Sequence, residues 1–285
     1  MLPRLIVARV LGWSAVAAAL VAGLAALAGA VEAARLGAAA AAALALLQVP
    51  TALILLAPIL AALGAAVAAA RMAALGEELA LECAGISPWR TGTAAAAVGL
   101  AVGLAQWATA DTVLWPAEQH RRALLSEADA PWVWLDGAAI HPGDRLTIEL
   151  EDDRIVAVRS LAEGEVSDAA LQHAAMLQQP RLASGAALAS STLISAQLER
   201  LSRRTRVLAC GLLAWLVWVL GAGQTGTRRI AAALGVAVGW QALDMLLYAA
   251  AAQGRLPIWA GGSGAAALLG AVLAGRYAAQ VLPRR

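Results

Sequence analysis

Long uncharged apolar runs alternate with charged stretches along this chain. Residues 10–31, 36–70, 91–110, 207–227 and 256–275 contain no Asp, Glu, Lys or Arg, and residues 230–251 contain only Asp244. Most of these runs have no polar face, so amphipathic soluble helices do not account for them. A bilayer-spanning helix needs about 20 apolar residues. The pattern predicts an α-helical integral membrane protein with six transmembrane helices, arranged three plus three around a polar stretch.

The second run is too long for one span. Gln48-Val49-Pro50 divides it, and proline suits the first turn of a helix, where its missing N–H has no partner. Span two is expected to start near Pro50, with Pro58 kinking it and residues 36–48 forming an Ala-rich outer segment. Residues 1–111 then hold three spans, 112–205 an outer domain and 206–285 three more spans. Within the outer stretch, 131–161 reads as about three strands: Leu146, Ile148 and Leu150 alternate with polar residues, with turns at His141-Pro142-Gly143-Asp144 and Glu151-Asp152-Asp153. Residues 168–179 and 190–204 read as helices.

The loop after span two carries its own pattern. Glu77, Glu78 and Glu82 lie in a short helical run in which Leu79, Cys83 and Ile86 fall at i, i+4 and i+7. Gly85 is placed to end that helix, and Ser87-Pro88 to open the next. The expectation is an acidic amphipathic helix within residues 76–87. Acidic residues do not suit an anionic lipid surface. A groove on a basic protein partner suits them, and a solvated loop helix is the plainer alternative.

Composition sharpens this picture. Of 285 residues, 61% are hydrophobic and 14% charged, against about a quarter charged in a soluble domain. That excludes a disordered chain, an ordinary soluble enzyme and a nucleic-acid-binding domain, and the net charge of +2 leaves no polyanion footprint. Lysine is absent, so Arg alone reports orientation. Arg4, Arg9, Arg71, Arg90, Arg228, Arg229, Arg276, Arg284 and Arg285 all flank spans on one side, which predicts cytoplasmic N and C termini. The first run exceeds the 7–15 residues of a signal h-region, so a retained helix is expected. Cys83 and Cys210 do not form a disulfide framework.

Few polar groups suggest chemistry. Asp244 is the one ionisable residue well inside a span, a functional candidate by default. It has three readings: lining a cavity, meeting a partner subunit, or reaching the outer interface. Gly221-Ala222-Gly223-Gln224-Thr225-Gly226-Thr227 looks like a phosphate loop but lacks the lysine, so the chain is expected not to be an enzyme and to need no cofactor. His120, His141 and His173 lack metal-ligand spacing. Ser14 has no companion base for hydrolysis. Gly99 and Gly103, four apart, favour close helix packing.

The segment from Glu77 to Ser87 resembles the coupling helix of the LptF/LptG permeases: an acid, mostly apolar positions, then Gly, an apolar residue and Ser or Thr. Pro50 and Pro58 followed by Leu63-Gly64 resemble the start of the family's span two. Val113-Leu114-Trp115-Pro116-Ala117-Glu118 resembles its exit from span three. Trp132-Val133-Trp134-Leu135-Asp136-Gly137 resembles an early outer strand, and Gly254-Arg255-Leu256-Pro257 the approach to span six. The likeness runs in order from about residue 5 to 276. It implies a multi-pass permease subunit in the bacterial inner membrane, paired with a second permease subunit, homologous or identical. That pair serves a cytoplasmic LptB-like ABC ATPase, with lipopolysaccharide or another lipid as cargo. ATP hydrolysis would reside in the partner. By position, Glu77, with Glu78, Leu79, Glu82, Cys83, Gly85 and Ile86 around it, would meet the ATPase. Arg35 would face lipid phosphates, which a guanidinium pairs bidentately, although an interfacial anchor is an equal reading. The family's outer domain is a jellyroll, which needs eight strands. About three are legible here, which implies a small β-rich, reduced version and leaves a non-transporting scaffold or regulatory paralogue as the alternative.

Overall fold

The computed structural model describes residues 2–32, 38–114, 116–117, 120, 133–135, 138–141, 146–151, 154–160, 188, 194–224 and 226–281. The described helices are α1 (Leu2–Glu32), α2 (Ala38–Ala74), α3 (Glu77–Cys83), α4 (Pro88–Thr109), α5 (Ile194–Leu220), α6 (Gly226–Ala252) and α7 (Ile258–Val281), and α4 runs on as a π-helical turn, Ala110–Leu114. Strands β1 (Val133–Leu135), β2 (Ala138–His141), β3 (Leu146–Glu151) and β4 (Arg154–Ser160) lie between α4 and α5.

Among the described residues, five helices are long and apolar enough to cross a membrane: Pro3–Val31, Ala41–Ala74, Pro88–Leu114, Gly226–Ala252 and Ile258–Ala279. The protein is therefore a multi-pass α-helical membrane protein. The remaining expected span falls in α5, which merges the helix read at 190–204 with the start of the apolar run. Glu199, Arg200, Arg203, Arg204 and Arg206 fill its first half. Its uncharged part, 207–220, extends about 21 Å at 1.5 Å per residue, short of the roughly 30 Å hydrocarbon core.

One boundary differs from the sequence reading. Helix α2 does not start near Pro50 but runs unbroken from Ala38 to Ala74. Alanine is the best helix former, and each proline removes only one backbone hydrogen bond. At Pro58 the carbonyl left over is that of Ile54, and Gln106 Nε2 of α4 donates to it at 2.8 Å. The Cys210 thiol of α5 lies 3.8 Å from Gln106 Oε1. A side-chain amide thus takes over the bond that the proline removed.

Contacts divide the chain into two compact units. One comprises Met1–Leu24, Ala52–Ala108 and Arg200–Arg285. In it α2 contributes to both apolar cores. Ala57, Ala61, Ala65 and Ala68 meet Ile6 and Val10 of α1, Ala95 and Val98 of α4, and Ala214 and Trp218 of α5. Ala62 and Ala66 meet Leu213 and Leu216 of α5, Ala237 and Trp240 of α6, and Leu269 and Leu273 of α7. Small residues bring the backbones together. A Cβ on Gly99 would lie 2.4 Å from the Cys210 carbonyl, and one on Gly103 would lie 2.7 Å from Val207 Cα. The four-residue glycine spacing in α4 is therefore a packing seam against α5.

The second unit comprises Ala25–Thr51 and Thr109–Glu199. Its four strands form an antiparallel meander in chain order. Val133 pairs with Ile140, Ile140 with Thr147, and Ile148 with Val158. The strand not separately legible in the sequence is β2, four residues whose alanines give no alternation. Helices read at 168–179 lie outside the described residues.

Candidate functional site

The short helix α3 is set by glycines at both ends. Gly76 precedes it with φ +73° and Gly85 follows it with φ +76°, backbone that residues with a Cβ adopt at a cost. At the C-terminal end the Ile86 N–H bonds to the Leu81 carbonyl at 2.9 Å and the Gly85 N–H to the Glu82 carbonyl at 2.9 Å. That pairing is a Schellman cap. Ile86 and Leu81, the two apolar positions of the cap, line one cavity with Met72, Thr91 and Trp218. After it, α4 opens at Pro88, with the Ser87 carbonyl accepting from the N–H groups of Arg90 and Thr91.

The face that Leu79 and Cys83 share points outward. Leu79 is 66% exposed and Cys83 is exposed, whereas Leu81 packs on the core of α1, α2, α4 and α5. The reason lies with the carboxylates, which point inward to buried or half-buried arginines. Glu77 accepts from Arg9 of α1 through both guanidinium nitrogens, Nη2 to Oε1 at 2.8 Å and Nη1 to Oε2. This bidentate contact, reinforced by the opposite charge, holds the Glu77 carboxyl below the usual carboxylate range. Glu78 accepts from Arg229 Nη1 at 2.9 and 3.2 Å. The outward face is left to Leu79, Ala80, Glu82 and Cys83.

Arg229 sits deeper than any other charged group at this end. Its side chain is fully buried, and Glu78 opposite is 20% exposed. Besides Glu78, it donates to the Trp218 carbonyl at 2.9 Å and reaches the Ala69 carbonyl at 3.5 Å. Trp218 lies in the last turn of α5, where helix carbonyls lack intrahelical donors. A cation there also complements the helix dipole. Gly221 makes the room: a Cβ on it would stand 2.3 Å from Arg229 Nε. Gly221 therefore fits closely around an arginine. Beside it, Ala70, Ala74, Glu78, Glu82, Gly223 and Gly226 line an open groove.

Arg9 and Arg229 were legible in the sequence only as orientation markers. A signal for Arg229 existed in the small residues just before it, but the spacing alone does not distinguish it from Arg228. Asp244 is buried and lies 3.6 Å from Arg206 of α5. A lone acid in a span needs a cation, and the Arg203–Arg206 cluster supplied the clue. Of the three readings of Asp244, contact with a neighbouring helix of the same chain was not among them. Arg35 lies outside the described residues.

The sequence model of a family described as lipopolysaccharide export system permease LptF/LptG matches residues 2–167. Comparison with individual curated proteins gives no match.

Proposed function

The chain belongs to the LptF/LptG family of lipopolysaccharide export permeases, and we propose on that premise that it is a transmembrane subunit of an ABC-type lipid exporter. In this reading α3 lies on the cytoplasmic side of the bacterial inner membrane and docks on a separate ATPase. The arginines Arg9, Arg71, Arg90, Arg228, Arg229 and Arg276 at that end support the orientation, and α5 serves as the sixth span. The sheet faces the periplasm as a reduced form of the family's outer domain. ATP is hydrolysed by the partner, because this chain has no lysine to complete a phosphate loop. A second permease subunit, homologous or identical, encloses the lipid, and Arg35 lies near its headgroup.

The observation that carries the reading is the anchorage of α3. A seven-residue helix between two spans is tied to α1 and α6 by separate ion pairs while its opposite face is left to solvent. A solvated loop helix needs neither tie. The docking surface is then Leu79, Ala80, Glu82 and Cys83, with Glu77 setting its pose.

Affinity purification of the full chain from its native membrane tests the proposal. The wild type is expected to bring down a nucleotide-binding subunit together with lipid. Leu79→Arg, on an exposed position, is expected to abolish that association without altering the melting temperature. If the wild type retains no ATPase, the export reading is overturned and the scaffold alternative takes its place.

A further inference from the structure

Arg229 lies outside residues 2–167, the part of the chain that the family's sequence model matches, yet it holds the acidic helix. We propose that Arg229 is a positioning residue that passes movement of α3 to α5 and α6. The inference rests on the export reading above and deepens it, because it names the contact by which docking on the ATPase reaches the second set of spans.

The geometry carries it in three steps. First, α3 is joined to α6 through Glu78 and Arg229 Nη1, at 2.9 and 3.2 Å. Second, the same guanidinium binds the end of α5 through Nη2 and the Trp218 carbonyl at 2.9 Å. Third, the Trp218 indole N–H donates to Thr91 Oγ1 at 3.0 Å, and the Thr91 hydroxyl donates to the Pro88 carbonyl at 3.1 Å, at the start of α4. One planar, always-charged group therefore touches α3, α5 and α6, and its hydrogen bonds continue into α4. A guanidinium holds its donors in a fixed fork, so a shift of the Glu78 carboxylate turns the whole group.

Burial makes this connection stiff. The Arg229 side chain is fully enclosed, and removing its carboxylate would leave a buried cation short of its partner, an unfavourable state. When α3 is drawn toward a partner, the low-energy response is for Arg229 to follow it. The segment that follows is the α5–α6 turn, which Gly221 fits closely around the guanidinium. The Arg9–Glu77 pair is a poor alternative route. Both side chains are part-exposed, at 27% and 33%, where water can replace either partner.

The test uses the complete complex in liposomes loaded with lipopolysaccharide, reading lipid released per ATP hydrolysed, with ATPase retention measured in parallel. Arg229→Met and Glu78→Gln are each expected to retain the ATPase while lowering lipid released per ATP by about tenfold, within the range coupling residues reach. Combined, they are expected to lower it no further than either alone. Arg229→Lys, which keeps the charge, is expected to recover part of the loss. A purely structural role would lower the amount of complex instead and leave the ratio unchanged. Should Arg229→Met fail to fold, Glu78→Gln decides. If Glu78→Gln holds the ATPase and exports at the wild-type ratio, the inference is overturned while the export reading stands. If the wild type holds no ATPase, the export reading falls, and this inference with it.

Discussion

Two adjacent carboxylates on one short helix sit in different surroundings. Glu77 meets Arg9 at a half-exposed edge, whereas Glu78 meets Arg229 with that guanidinium fully enclosed. They are the same residue type one position apart, and one helical step of about 100° selects the neighbour. Toward α1 the step reaches a helix that covers little. Leu11, Leu20, Leu24 and Leu27 of α1 stay exposed. Toward α6 it reaches the place where α2, α5 and α6 close around one another. The difference teaches that charge and spacing locate an anchoring helix, while the depth of each anchor depends on what the distant segments enclose.

The largest effect that would sharpen this contrast comes from the deep anchor. Arg229→Met is expected to lower stability by about 3 kcal/mol, because breaking a buried pair strands its partners. Thermal melting in detergent checks it, and a loss under 1 kcal/mol would erase the contrast. Next comes the turn around the arginine. Gly221→Val intrudes where a Cβ already lies 2.3 Å from Arg229 Nε, and overpacking of that kind costs about 1–3 kcal/mol. The loss is expected to shrink when Arg229 is shortened to Ala in the same chain, and equal losses in both backgrounds would speak against the fit.

The shallow anchor should respond less. Glu77→Gln is expected to cost under about 1 kcal/mol, and less still in high salt. Chemical denaturation at two ionic strengths measures this. The smallest effect is the pH dependence of the same pair. Arg9 depresses the Glu77 carboxyl in the folded chain below its ordinary value of 4.5. Unfolding therefore takes up a proton on acidification. The contribution is complete above the ordinary value and is lost as pH falls through the lower folded one. Melting temperatures of wild type and Glu77→Gln should converge only below pH 4.5, and a gap independent of pH would exclude the pair as its source.

Much of the architecture was readable because charge-free length is a local property. The runs around residues 10–31, 91–110, 230–251 and 256–275 became α1, α4, α6 and α7, and Gly85 ended α3 where its spacing required. The reading failed where a tertiary partner overrides a local rule. Pro50 suggested the start of a span, but an alanine-rich helix runs through it, and at Pro58 the Gln106 amide takes up the freed carbonyl. Which side of α3 turns inward is likewise set by distant partners. Seven residues hold too little apolar area to outweigh two arginines, and those arginines lie 68 and 151 positions away from their carboxylates. No window along the chain contains such pairs.

The amide of Gln106 has an evolutionary consequence. It exists in its present role only because Pro58 leaves the Ile54 carbonyl without its usual donor. Drift at these two sites is therefore ordered. A lineage that first replaces the proline gains freedom at position 106, whereas one that first loses the amide must cross a fitness valley. Among descendants of this chain, an apolar residue at 106 should accompany a non-proline at 58, and the reverse combination should be rare.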